Sequence, residues 1–75
     1  APVAPVAAPR PLLSAREKEV IHWVARGKSN SVIGDILGCS AHTVDTHLRR
    51  IFAKLDVSDR ISAAVRAVAL GLTSP

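Results

Sequence analysis

A single Cys, Cys39, stands among 75 residues, with one Trp, one Phe and neither Tyr nor Met. The lone Cys excludes an internal disulfide framework and suits a reducing, cytoplasmic compartment. Few aromatics in a chain that is 48% hydrophobic, with much of that Ala, favour close-packed short helices over an aromatic-rich sheet. No apolar run reaches the roughly 18 to 20 residues that cross a bilayer, so no membrane partner is expected. The opening APVAPVAAPRPLL has no basic start, and Pro runs through its apolar part, which excludes a secretory signal peptide. Nucleophile–base pairs, Gly-rich phosphate loops and carboxylates at catalytic spacing are missing too. The six acidic residues are dispersed, as caps and surface pairs would be. The chain reads as no enzyme and calls for no cofactor.

Acidic charge is also in the minority. Ten Lys and Arg against six Asp and Glu leave a formal charge of +4, which favours an anionic partner, nucleic acid first. The length suits about one small domain, in which only about 60% of the unfolded surface is buried and each helix cap counts. Residues 1–12 are Ala/Pro-rich and read as a semi-rigid linker. Without an initial Met, the chain is expected to be a piece of a longer protein whose N-terminal domain precedes that linker. Residues 13–75 are the expected domain.

Ser14 and Glu17 form an S-x-x-E capping box with Leu13 just before it. Val20, Ile21 and Val24 then recur at helical spacing up to Gly27, predicting a first helix over about 15–26. Ser29 caps a second, shorter helix whose apolar residues are Val32, Ile33, Ile36 and Leu37, ending at Gly38. Only Cys39 and Ser40 separate it from a third helix over about 41–55, which buries Val44, Leu48, Ile51, Phe52 and Leu55. Two helices joined by such a short Gly-containing turn make a helix-turn-helix. Asp56 and Val57 break the chain, Ser58 caps, and a fourth helix runs to about Leu70 or Gly71. Its expected core stripe is Ile61, Ala64, Val65, Val68 and Leu72, and its expected outer face carries Ala63, Arg66, Ala67 and Leu70. The fold class is all-α, with four short helices.

Opposite its apolar stripe, the third helix presents His42, Asp45, Thr46, Arg49, Arg50 and Ala53. A solvated charged face is the usual fate of such an arc. Here the side chains near the helix start are short, as needed where a helix end sits against base edges, and the basic ones follow one or two turns later. In a helix-turn-helix the second helix enters the major groove by its N-terminal residues. There Arg bonds guanine with two donors, Asp accepts from cytosine, and a Thr methyl meets the thymine methyl. Cys39, His42 and His47 have the spacing C-x2-H-x4-H, which fits no standard zinc pattern, so no metal is expected. Cys39 is expected to pack under the turn, and Trp23 to be partly buried.

The segments LSAREKEVIHWVARGKSN, IGDILGCSAHTVDTHLRRIFAKLDV and SDRISAAVRAVALGL together resemble the LuxR/GerE-type DNA-binding domain of bacterial transcription regulators. The resemblance covers residues 13–72 and rests on S/T-x-x-E, G-x-S-N, T-V-x-x-H-x-x-x-I-x-x-K-L and A-x-x-x-G-L, in that order. It implies double-stranded DNA as partner, with Asp45, Thr46 and Arg49 at base-reading positions. It implies backbone contacts at Lys28, Ser29, Asn30, Thr43, Arg50 and Lys54. It also makes the fourth helix a homodimer contact, which would place Ala63, Arg66, Ala67 and Leu70 at a two-fold axis on an inverted repeat, and it makes RNA polymerase the expected protein partner. W-x-A-x-G-K over residues 23–28 is similar to the quorum-sensing branch that answers acyl-homoserine lactones. A phosphorylated receiver domain, or no sensing domain, are the alternatives. Two departures stand out: many members have Lys where this chain has Asp45, and Glu and Ala where it has Val32 and Gly34.

Overall fold

The computed structural model describes residues 13–74; the linker expected at residues 1–12 lies outside the described residues, as does Pro75. Four helices and no strand occur among the described residues: α1 Ala15–Val24, α2 Asn30–Leu37, α3 Ala41–Leu55 and α4 Arg60–Ala69. α3 is the central element, packed against each of the other three.

Each helix begins where a short polar side chain satisfies an otherwise unpaired backbone N–H. Ser14 Oγ accepts from Glu17 N while the Glu17 carboxylate accepts from Ser14 N, completing the capping box. Ser29 Oγ accepts from Val32 N and Ser40 Oγ from Thr43 N, as their spacing predicts. The fourth cap is Asp59 rather than Ser58. Its two carboxylate oxygens accept from the Ser62 N–H and hydroxyl, and these bonds hold its pKa below the usual carboxylate range. α1 and α4 stop one or two residues short of the expected ends, each in a turn closed by a left-handed glycine, Gly27 or Gly71.

Val20 and Ile21 from α1, Ile33 from α2, and Val44, Leu48, Ile51 and Leu55 from α3 make the core. Each contributes about 1.5 to 3 kcal/mol by leaving water. Leu13 closes the core at one end, and Phe52, Trp23 and Cys39 pack half-buried on its rim. Val32 and Ile36 of α2 remain exposed.

α4 is rotated from expectation: of its expected core stripe, Ala64 and Leu72 pack half-buried against the core, but Ile61 and Val65 do not. Ala63 and Ala67 are 0% exposed, and Leu70 packs half-buried against the core. Ile61 and Val65, expected inside, are 78% and 64% exposed. Interhelical distance follows the side chains at the contact, and two alanines four residues apart let α4 lie close against both α1 and α3. Ala63 and Ala67 are therefore committed to their own core and present no surface for a second copy, while Leu70 keeps part of its side chain outside. Arg66 alone of that row is exposed.

α2 and α3 meet at a tight turn. Gly38 is left-handed with φ +76°, and the Cys39 N–H donates to the Gly34 carbonyl at 2.8 Å. A Cβ on Gly34 would lie 2.5 Å from the Cys39 carbonyl oxygen and 3.2 Å from the Ser40 carbonyl carbon. Glycine there costs helix propensity, up to about 1 kcal/mol relative to Ala, and permits this close backbone approach. Gly34→Val should therefore destabilise the fold by about 1 to 3 kcal/mol in chemical denaturation, the cost of forcing extra atoms into a packed contact. Unchanged stability would show that the turn can retreat freely.

Candidate nucleic-acid interface

Burial of Val44, Leu48, Ile51 and Leu55 fixes the rotation of α3 and directs the opposite arc to solvent. Asp45, Thr46 and Arg49 stand together on that arc, with Arg50 exposed beside them. Arg49 Nε donates to Asp45 Oδ2 at 3.0 Å across one helical turn, although the Arg49 side chain is 80% exposed. The ion pair uses Nε and leaves both terminal nitrogens, the parallel donors that suit the acceptor edge of guanine. Thr46 Oγ1 donates to the His42 carbonyl at 3.2 Å, so its hydroxyl proton is used within the helix. Thr43 Oγ1 pairs with the Ser40 hydroxyl at 3.0 Å and belongs to the cap.

Lys28 and Ser29 are exposed, and Asn30 half-buried, where the chain enters α2. Arg60, the first residue of α4, reaches them from the far end of the sequence. One terminal nitrogen donates to Asn30 Oδ1 and the other to the Lys28 carbonyl at 2.7 Å. Reading along the sequence missed Arg60, because its partners lie about thirty positions away. One local signal exists: a cation in a helix's first turn opposes the helix dipole and so needs a partner elsewhere.

Lys54, expected at a phosphate, has its ammonium 2.6 Å from Glu17 Oε1, the oxygen that also accepts from Ser14 N. Any DNA contact would have to use the exposed remainder of that ammonium. His42 is exposed and Cys39 half-buried, and among the described residues no group of three or more His, Cys, Asp or Glu is assembled for a metal. His47 Nδ1 is buried without a hydrogen-bond partner.

The sequence that builds this arrangement matches a known family. The profile of "Bacterial regulatory proteins, luxR family" matches residues 11–67. The chain belongs to the luxR family. This luxR-family chain is 48% identical over 62 residues to the putative HTH-type transcriptional regulator y4qH of Sinorhizobium fredii, covering 83% of this chain and 19% of that protein. It is also 48% identical over 60 residues to the transcriptional activator protein AnoR of Acinetobacter nosocomialis, covering 80% of this chain and 25% of AnoR. The transcriptional regulatory protein LiaR of Bacillus subtilis is 48% identical over 61 residues, 81% of this chain and 29% of LiaR. The chain thus spans less than a third of each of these relatives.

Glu17, only 3% exposed, is the one buried charged or polar residue of this luxR-family domain among the described residues. Burial pushes its pKa up, but the Lys54 hydrogen bond, the Ser14 N–H and the Lys54 charge outweigh it and hold the carboxyl below its ordinary 4.5. A carboxyl with a depressed folded-state pKa stabilises the fold fully above its unfolded value, and that contribution is lost as pH falls through the folded one. Glu17→Gln should lower stability at pH 7 by about 1 to 3 kcal/mol, since the bonds to a charged acceptor are weakened. It should also flatten the loss of stability with acid below pH 4.5, as followed by thermal melts across that range. An equally steep acid limb in the variant would assign it to other carboxylates.

Proposed function

We propose that residues 13–75 form the sequence-specific DNA-binding domain of a transcription regulator, and that α3 reads the major groove through Asp45, Thr46 and Arg49. The observation that carries this reading is the Asp45–Arg49 pair, which holds a guanidinium outward from the middle of α3 while the opposite face is locked in the core. Lys28, Ser29, Asn30 and Arg50 flank this face as backbone contacts. The family membership and the relatives' names as transcriptional regulators support it. The competing class is a domain that binds another protein. Counterion release separates the two, because duplex binding weakens steeply with salt in proportion to the phosphates neutralised.

Titration of duplexes by fluorescence anisotropy across a salt series tests the reading. Arg49→Ala should cost about 1 to 3 kcal/mol on the preferred operator and little on random DNA. Asp45→Ala should relax preference at the same base pair, because Asp45 holds Arg49 through Nε. Equal losses on both DNAs would reduce Arg49 to a phosphate contact, and salt-insensitive or absent binding would remove DNA altogether.

Pairing of two copies through α4 is part of the same reading, moved to the face that is open. Ile61, Val65 and Val68 lie at i, i+4 and i+7, with Ala25 of α1 alongside, and the first two are largely exposed. A stripe at helical spacing on a two-fold axis pairs with itself and sets two α3 helices about one DNA turn apart. Val65→Asp should abolish cooperative binding to a full inverted repeat and leave half-site affinity nearly unchanged, in gel-shift titrations of both duplexes. Surviving cooperativity would place the contact on another surface.

A further inference from the structure

We infer that Arg60 is a positioning residue that aims the phosphate-facing donors at the start of α2; the inference rests on the DNA-binding reading above. A guanidinium carries only donors, so the Asn30 atom facing it is the carbonyl oxygen. That fixes the orientation of the amide and leaves the two Nδ2 hydrogens for an acceptor elsewhere. The second arm of the same guanidinium engages the Lys28 carbonyl and holds the end of the loop that carries Lys28 and Ser29. Ser29 Oγ in turn accepts from Val32 N, so its O–H remains as a donor.

The main acceptors of this corner, the Lys28 carbonyl, Asn30 Oδ1 and Ser29 Oγ, are thus engaged inside the protein. What is left is the Lys28 ammonium, the Ser29 hydroxyl proton and the Asn30 amide hydrogens. Phosphate oxygens only accept, and a corner stripped to donors is complementary to them. Arg60 performs two of the three engagements with one planar fork. Lysine, a single point of charge, cannot reproduce them.

The test measures affinity of the intact chain for an operator duplex and for a random duplex of equal length, with melting curves on every variant. Arg60→Ala should lose about tenfold on both duplexes, about 1.4 kcal/mol. In an Asn30→Ala background, removing Arg60 should cost only about threefold further, through the Lys28 carbonyl alone, since contacts that act as a unit are not additive. Arg60→Lys should lose most of the same affinity although the charge is kept. Asn30→Asp keeps an acceptor for Arg60 but turns an acceptor outward, so it should lose binding with no fall in melting temperature.

Additive losses from Arg60 and Asn30, or full affinity in Arg60→Lys, would overturn the inference and make Arg60 a separate charge contact. A fall in melting temperature with undiminished affinity of the folded protein would also overturn it, by giving Arg60 a structural role only. Wild-type affinity in Asn30→Asp would show that Asn30 aims nothing at phosphate. Failure of the wild type to bind any duplex would overturn the DNA reading itself, and is distinguished by requiring no variant.

Discussion

The Glu17 carboxylate is the interaction on which the rest of this small domain depends. It is buried, so it must be fully partnered, and its partners come from two ends of the fold: Ser14 N at the start of α1 and Lys54 Nζ in the last turn of α3. An uncompensated charge in that position would be far costlier than the pair is favourable. The geometry of α1 against α3 is therefore narrowly specified. Since α3 is also the helix whose outer arc carries Asp45, Thr46 and Arg49, the same contact sets how that arc is presented. Lys54 joins the last turn of α3 to α1 through this pair.

The second constraint is the backbone contact at Gly34. Side chains set the distance between most packed helices, but here α2 rests against the carbonyl of Cys39 with no side chain between. That packs the second half of α2 directly on the turn into α3, which is closed by Gly38, and both helix starts are capped by serines. In the proposed DNA complex, the donors at Lys28, Ser29 and Asn30 and the row on α3 would meet the duplex from helices already formed and packed together. The entropy of ordering those helices would then be met in folding rather than in association.

Local chemistry was legible in the sequence, and distant chemistry was not. The capping box, the caps at Ser29 and Ser40, the turn between α2 and α3 and the burial of Val44, Leu48, Ile51 and Leu55 rest on neighbours within four positions, and they stand where their spacing placed them, with Phe52 half-buried at the edge. The family motifs were legible for the same reason. Asp45 and Arg49 stand at i, i+4 spacing, and the structure pairs them across that turn. Arg60 on Asn30 and Lys54 on Glu17 join positions 30 and 37 residues apart, and no periodicity reports such pairs. The cap at Asp59 was missed by one residue because Ser58 and Asp59 are both good caps, and the helix begins after the one whose carboxylate reaches Ser62.

The rotation of α4 was misread for a more general reason. Its large apolar residues, Ile61, Val65 and Val68, share one face, and their bulk suggested that this face belonged inside. Packing at close range inverts that preference: a helix laid against two others at once is admitted by Ala63 and Ala67, and its larger residues are then left outside. The result bears on function, because Ile61 adjoins Arg60 in the first turn of α4. A second copy seated on Ile61 and Val65 would order the turn from which Arg60 reaches Lys28 and Asn30. The proposed dimer face and the donor corner at the start of α2 are thus one side chain apart. Assembly on α4 and grip on the DNA backbone would strengthen each other through contact rather than through a change of shape, and by linkage the effect would run equally in both directions.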